Sequence, residues 1–371
     1  MEHYVQAASI RWFNACAYYA TTLCRGLKLL GQRVTFVGRA GLPALENVRR
    51  YGVEVFCRRA PVFENPVEYL ATVKTYRKFA LEKGVTLVNV HNGNDHLLWM
   101  FALKGTGIPL IRTSGNQIPP KNHIGSRMIL KKTAGIIASC NTVSNYYIER
   151  FGIGNSSIQV INGGVDENYF IRRNVSGRLR KNLGISDDAF LFGIIGRFSP
   201  VKGHRYFISA AKKTSSKYPN ARFLICGWDA QLKEADIRSM VSKAGMEDMT
   251  SILGRQNDIR DVISSLDAGI IASLGSETIC RIAMEYMAME VPVIAVDTNV
   301  IPEIIRDKVT GIIVSAGDSE AMASAMENMI QNRDRVKEMG HKGREIIMHN
   351  YTLEAFAEQT IAAYRSFTAH D

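Results

Sequence analysis

Short apolar runs punctuate the chain from end to end. Through the first half they read HYVQAA, RVTFVG, VEVF, TLVNV, IPLIR, GIIAS and SIQVI. After a polar stretch around SGRLRKNLGISDD, which reads as a loop, they resume as FLFGII, RFLIC, SIL, AGIIAS, VPVIAV and GIIV. Most are continuous rather than alternating, as in strands of a parallel sheet covered on both faces. Segments of helical spacing lie between most of them. In NPVEYLATVKTYRKFALEKG the residues Val67, Leu70, Val73, Phe79 and Leu81 form the expected apolar face. The last segment, TLEAFAEQTIAAYRSF, starts at the cap-type residue Thr352, with Glu354 one position short of a capping box. Two successive strand–helix series predict an α/β chain of two doubly wound Rossmann-like domains, residues 1–165 and 166–351. A chain of 371 residues is long enough for two such cores.

Composition narrows the setting. No run of about 18 apolar residues suggests a membrane span, and the N-terminus lacks the basic-then-apolar pattern of a secretory leader. The six cysteines, at 16, 24, 57, 140, 226 and 280, form no CxxC pair or metal spacing and read as reduced thiols. A cytoplasmic location is expected, with a peripheral seat at the inner face of the cell membrane. The net charge is +11, and it is unevenly spread. Through Val165 there are 20 Lys and Arg against 8 Asp and Glu; after it there are 26 against 27. A basic first half suits an anionic membrane surface. A merely solubilising surface is the bland alternative. Nucleic acid is disfavoured, because the basic residues are dispersed and no aromatic–basic RNA motif appears.

In open α/β sheets ligands bind beyond the carboxyl ends of strands. The loop GIIGRFSPVKGH places Gly196, Arg197 and Lys202 there, with Gly203 opening a helix. Glycines allow close backbone approach, and a helix N-terminus with two cations suits a diphosphate. The loop is neither a dinucleotide GxGxxG nor a Walker loop. In SETICRIAMEYMAMEVPVIA, a helix over 278–289 would bury Ile279, Ile282, Ala283, Tyr286 and Met287. It would set Glu277, Arg281 and Glu285 along the other side. That ladder is either an exposed set of ion pairs or two carboxylate grips about 12 Å apart. Glycosidase carboxylates stand closer, at roughly 5 to 9.5 Å. Two grips suit an elongated ligand, with the N–H groups of Thr278, Ile279 and Cys280 meeting a phosphate between them. A sugar, a diphosphate and a ribose in a row make a nucleotide sugar.

These motifs resemble the retaining GT-B glycosyltransferases of family four, the glycosyl transferases group one, over nearly the whole chain. The likeness is densest from VINGGVDENYF to TGIIV. GRFSPVKG resembles the family's phosphate loop, SETICRIAMEYMAMEVPVIA its paired-glutamate motif, and IPEIIRDKVTGIIV the segment after it. The resemblance implies that Glu277 contacts the donor sugar and Glu285 the ribose. VNVHNGNDHLLW and IPLIRTS resemble acceptor-side motifs of bacterial envelope-polysaccharide members, which implies His91, Asp95 and Arg112 at the cleft. It also implies a C-terminal helix, 352–371, crossing back to the N-terminal domain. RWFNACAY stands where many members have a glycine pair, and RTSGNQ where many have a histidine. Glu290 and Asn299–Val300 replace common glycines. A non-glycine at 290 argues against a left-handed helix cap there.

The residues carry bland readings too. His91 suits a strand-end core histidine, Asp95 a helix cap, and Arg112 a structural ion pair; Trp12 and Phe13 suit packing. No Asp-x-Asp or His/Cys cluster has ligand spacing, so no metal or other cofactor is expected, only a UDP- or GDP-linked sugar as substrate. The expected activity is transfer of a hexose to a glycan or lipid-linked acceptor in surface polysaccharide or lipopolysaccharide synthesis. The alternatives are a nucleotide-sugar epimerase of similar fold and a degenerate nucleotide-sugar-binding protein.

Overall fold

The computed structural model describes residues 2–58, 65–115, 120–172, 176–275 and 277–369. Ser276 of the paired-glutamate stretch, and Asn116 and Gln117 of RTSGNQ, lie outside the described residues. The chain forms two compact units, Met1–Gly164 with Tyr351–Asp371, and Val165–Asn350.

The first unit runs β1 (His3–Ala7), α1 (Ala15–Leu29), β2 (Arg33–Arg39), α2 (Pro43–Arg50), β3 (Glu54–Arg58), α3 (Pro66–Glu82) and β4 (Leu87–Val90). It continues through α4 (Gly93–Ala102), β5 (Leu110–Ser114), α5 (Ile124–Leu130), β6 (Gly135–Ala138), α6 (Asn141–Phe151) and β7 (Ile158–Val160). Its seven strands order as β3-β2-β1-β4-β5-β6-β7. The second unit runs α7 (Ser176–Asn182), β8 (Phe190–Arg197), α8 (His204–Lys217), β9 (Ala221–Trp228), α9 (Glu234–Lys243) and β10 (Thr250–Leu253). There follow α10 (Arg260–Ser265), β11 (Ala268–Ile271), α11 (Arg281–Ala288), β12 (Val293–Val296), α12 (Ile301–Ile304), β13 (Gly311–Val314), α13 (Ser319–Gln331) and α14 (Arg333–Asn350). Its six strands order as β10-β9-β8-β11-β12-β13. The last helix, α15 (Leu353–Thr368), belongs to the first unit.

Every apolar run named above is a strand, and neighbouring strands pair in parallel. The order reverses direction between β1 and β4 in one sheet and between β8 and β11 in the other. Each reversal opens a crevice at the carboxyl edge, because the helices after the two central strands leave on opposite faces.

Three local expectations change. The polar stretch read as a loop holds the helix α7. On α3 the buried residues are Thr72, Tyr76, Phe79 and Ala80, while Val67, Leu70 and Leu81 are exposed. Aromatic contacts chose that face: Phe79 stacks on Phe56 at 4.2 Å, and Tyr76 meets Trp99 at 5.0 Å. Trp12 is exposed rather than packed, with Arg11 lying over its ring.

Helix α15 starts where the sequence places it, with the Thr352 hydroxyl accepting the Ala355 N–H at 3.0 Å. It lies along α1: Phe356 meets Tyr19 edge-on at 4.7 Å. The Tyr364 hydroxyl accepts hydrogen bonds from Gln6 and Asn89 on β1 and β4. The apolar stripe of α15 is therefore covered by the first unit's own core.

Candidate functional site

In the second unit three loops meet at the β8/β11 crevice. The first leaves β8 at Arg197, makes a tight turn over Pro200–Lys202 and enters α8 through Gly203. Gly203 has φ +72°, and a Cβ there would lie 1.9 Å from the Ala272 carbonyl oxygen. No side chain fits, so glycine is what lets this turn press against the end of β11. The second loop follows β11 and is tied to the first by Leu274 N–H donating to Val201 O at 2.8 Å. The third follows β12: Val300 N–H donates to Glu277 O at 3.0 Å, and Asn299 Nδ2 to Gly275 O at 2.9 Å.

The Glu277 carboxylate is buried, paired with Lys202 Nζ through Oε1, and accepts the Ser273 hydroxyl at 2.6 Å. Burial alone would raise its pKa. The charge of Lys202 and hydrogen bonds from Lys202, Ser273 and Cys280 outweigh burial, so the carboxyl titrates below its usual range. Arg197 is exposed at the strand end, and Lys202 is half-buried. Two residues that the sequence separates by 75 positions, Lys202 and Glu277, thus form one charged unit. Ser273 completes it, and no motif signals that residue in advance. His204, first residue of α8, also went unmarked; burial pushes its pKa down to about 4, so an uncharged ring stands beside this turn.

The paired-glutamate stretch differs from the sequence expectation in its first half. α11 begins at Arg281, with Cys280 as its cap residue, so Glu277, Thr278 and Ile279 precede the helix. The 12 Å helical rise between the glutamates does not apply. The exposed ladder does not form either: Glu277 and Glu285 are both buried, and Ile282 is only half-buried. The reason is that α11 sits beneath the loops and is covered on nearly every side. Arg281 Nε holds Glu285 Oε1 at 2.9 Å, while Glu285 Oε2 has no hydrogen-bond partner among the described residues. Burial pushes the Glu285 carboxyl above its usual range, against the pull of Arg281.

Two of the three glycine replacements are left-handed nonetheless, Glu290 with φ +58° and Asn299 with φ +49°, while Val300 is right-handed with φ -70°. Asn tolerates that region, and its side-chain bond to Gly275 adds support. Glu290 pays a steric cost of about 1 kcal/mol, so the expectation of no left-handed cap residue is corrected.

In the first unit, Ser9, Ile10, Asn14, Cys16, His91, Asn92, Gly93 and Asn94 line a recess of about 260 Å³ above the β1/β4 crevice. His91 is buried, with Nε2 3.0 Å from Gln6 Oε1. Burial, and then the Arg112 charge, bring its pKa down to about 3. Asn92 rather than Asp95 caps α4, which starts at Gly93. Asp95 accepts the Ser9 N–H at 2.6 Å and a hydrogen bond from Asn92, pinning the end of β1 to α4. Arg112 is buried on β5, and its Nη1 has no hydrogen-bond partner among the described residues. The structural ion pair expected for Arg112 does not form among the described residues.

Two doubly wound parallel-sheet α/β units in one chain are the architecture of the GT-B class of glycosyltransferase fold. Comparison with known proteins agrees. The Glycosyltransferase Family 4 pattern matches residues 17–169, and the Glycosyl transferases group 1 pattern matches residues 175–346. The chain belongs to this glycosyltransferase family. It is similar to N-acetyl-alpha-D-glucosaminyl L-malate synthase of Bacillus anthracis, 24% identical over 357 residues, 93% of this chain and 92% of that protein. It is also similar to the lipopolysaccharide core biosynthesis mannosyltransferase LpsB of Rhizobium meliloti, 25% identical over 263 residues, 69% of this chain and 72% of that one. Among solved structures, Anabaena HepE in complex with UDP superposes with a TM-score of 0.84 at 17% identity, over 99% of this chain and 100% of that one.

Proposed function

We propose that the protein is a retaining hexosyltransferase. It moves a hexose from a UDP- or GDP-linked sugar to a glycan or lipid-linked acceptor in bacterial surface polysaccharide or lipopolysaccharide synthesis. The observation that carries the proposal is the Lys202–Glu277 pair at the β8/β11 crevice, beside exposed Arg197. Arg197 and Lys202 stabilise the charge that grows on the departing diphosphate, an electrostatic effect that is usually the largest single contribution to such steps. Glu277 is ionised, so it acts as an acceptor: it orients a sugar hydroxyl and favours an oxocarbenium-like centre. Its pairing with Lys202 joins sugar orientation to leaving-group stabilisation, because one ammonium serves both. The open Oε2 of Glu285 accepts from a ribose hydroxyl. The acceptor attacks the face the diphosphate leaves, and a departing phosphate oxygen takes its proton, which retains the anomeric configuration. His91, Asp95 and Arg112 serve the acceptor side, and the basic first unit rests on an anionic membrane.

The UDP of the HepE complex and the named activity of LpsB support the donor and pathway class. A thermal-shift panel of nucleoside diphosphates and their sugars identifies the donor, since a ligand of the folded state raises the melting temperature. Arg197→Ala combined with Lys202→Ala lowers turnover by orders of magnitude; wild-type-like transfer by that variant would remove the assignment. Conversion of donor alone into a new sugar isomer would instead favour an epimerase.

A further inference from the structure

We propose that α5 and the turn before it form the surface that docks on an anionic bilayer. The proposal deepens the membrane reading above and is independent of the transfer chemistry. From His96 to Ile148 the chain has no Asp or Glu, while Lys104, Arg112, Lys121, Arg127, Lys131 and Lys132 fall within it. On α5 the positions 124, 127, 128 and 131 lie at i, i+3, i+4 and i+7, one stripe of a helix. All four are exposed, Ile124 by 79% and Met128 by 60%. The opposite side turns inward through buried Leu130 and half-buried Ile129. The orientation is therefore set by packing, and the outward stripe alternates apolar and basic side chains.

The cations on this surface are not neutralised locally. Arg127 Nε donates to Asn122 Oδ1 at 2.8 Å, and Asn122 Nδ2 to Arg150 O at 2.5 Å, all uncharged acceptors. Among the described residues none of Lys121, Arg127, Lys131 and Lys132 has a carboxylate within ion-pair distance. The facing end of α6 contributes one acid, Glu149, next to Arg150. Net positive charge around two exposed large apolar side chains one turn apart is the pattern of an interfacial helix. A soluble polyanion would use the cations and leave Ile124 and Met128 in water. Those two side chains favour a lipid surface, whose headgroup boundary takes both.

The test is co-sedimentation of the full chain with vesicles of phosphatidylcholine alone and of phosphatidylcholine with phosphatidylglycerol, at 0.1 M salt. Binding to the anionic vesicles only is expected. Each basic side chain near such a surface changes the partition about fivefold, so Lys121→Gln/Lys131→Gln/Lys132→Gln lowers it about 100-fold. Ile124→Ser/Met128→Ser lowers it at least about tenfold, as expected when two large apolar side chains stop leaving water, with an unchanged melting temperature because both side chains are exposed. Equal binding to both vesicle types would overturn the proposal. So would anionic-vesicle binding that survives the Ile124/Met128 change and falls only with the lysines, which would mark a polyanion surface. Neither outcome touches the donor site, so the transferase reading stands or falls separately.

Discussion

Removing Lys202 has a consequence for stability that is separate from the proposed transfer chemistry. Glu277 is 3% exposed, and its charge is held by Lys202 with help from Ser273. Breaking a buried pair from one side costs about 3–5 kcal/mol, because the other charge stays behind. Lys202 is itself partly open to solvent and Ser273 remains, so the lower end applies, about 3 kcal/mol at pH 7. For a unit of this size that is a fall of about 6–12 °C in melting temperature. The pH dependence carries the sign. With Lys202 in place the folded pKa of Glu277 lies below 4.5, so its stabilisation is complete above that value and is lost as pH falls through the folded pKa. In Lys202→Ala burial prevails, the folded pKa rises above 4.5, and protonation relieves the defect. The gap between variant and wild type therefore shrinks as pH falls from 7 toward 4. Urea titrations of both proteins across that range measure the gap, and other titrating groups cancel in the difference. Lys202→Ala/Glu277→Gln should recover much of the loss. A gap under 1 kcal/mol at pH 7, or one that widens on acidification, would refute the argument.

Other outcomes follow from the same structure. Gly203→Ala forces a Cβ onto the Ala272 carbonyl at positive φ, and should lower the stability of the second unit by several kcal/mol in urea unfolding. Glu285→Leu should raise KM for the donor about tenfold or more with little change in kcat, while stability holds or improves, since it removes a buried carboxyl with one open oxygen. Burial holds His91 and His96 at about 3, so both are neutral when folded. A base with a lowered folded pKa contributes fully above its unfolded value of 6.5, and that stability is lost as pH falls below it. The first unit should therefore weaken from pH 6.5 downward, and His96→Gln should flatten the slope in thermal melts.

The central strands were legible because they are buried on both faces and so keep an unbroken apolar run, as in VPVIAV and GIIAS, while the edge strands β3, β7, β10 and β13 are only partly buried. The face of α3 was not legible, since Tyr76 and Phe79 found partners in Phe56 and Trp99 that lie far along the chain. The loop motifs announced Arg197, Lys202, Glu277 and Glu285 as a set, but not their pairing. Ser273 and His204 carried no local signal, because a single Ser or His has meaning only through its neighbours in space.

The sequence by itself determined the two parallel sheets, the crevices at their carboxyl edges and the glycine turn at 203, since periodicity and sterics are local properties. Tertiary structure decided which carboxylates are buried, where α11 begins, that Lys202 grips Glu277, and that α5 turns Ile124 and Met128 outward. Burial and pairing depend on atoms brought together by the sheet order. Parallel pairing places the ends of β8, β11 and β12 side by side although nearly 100 residues separate the first from the last.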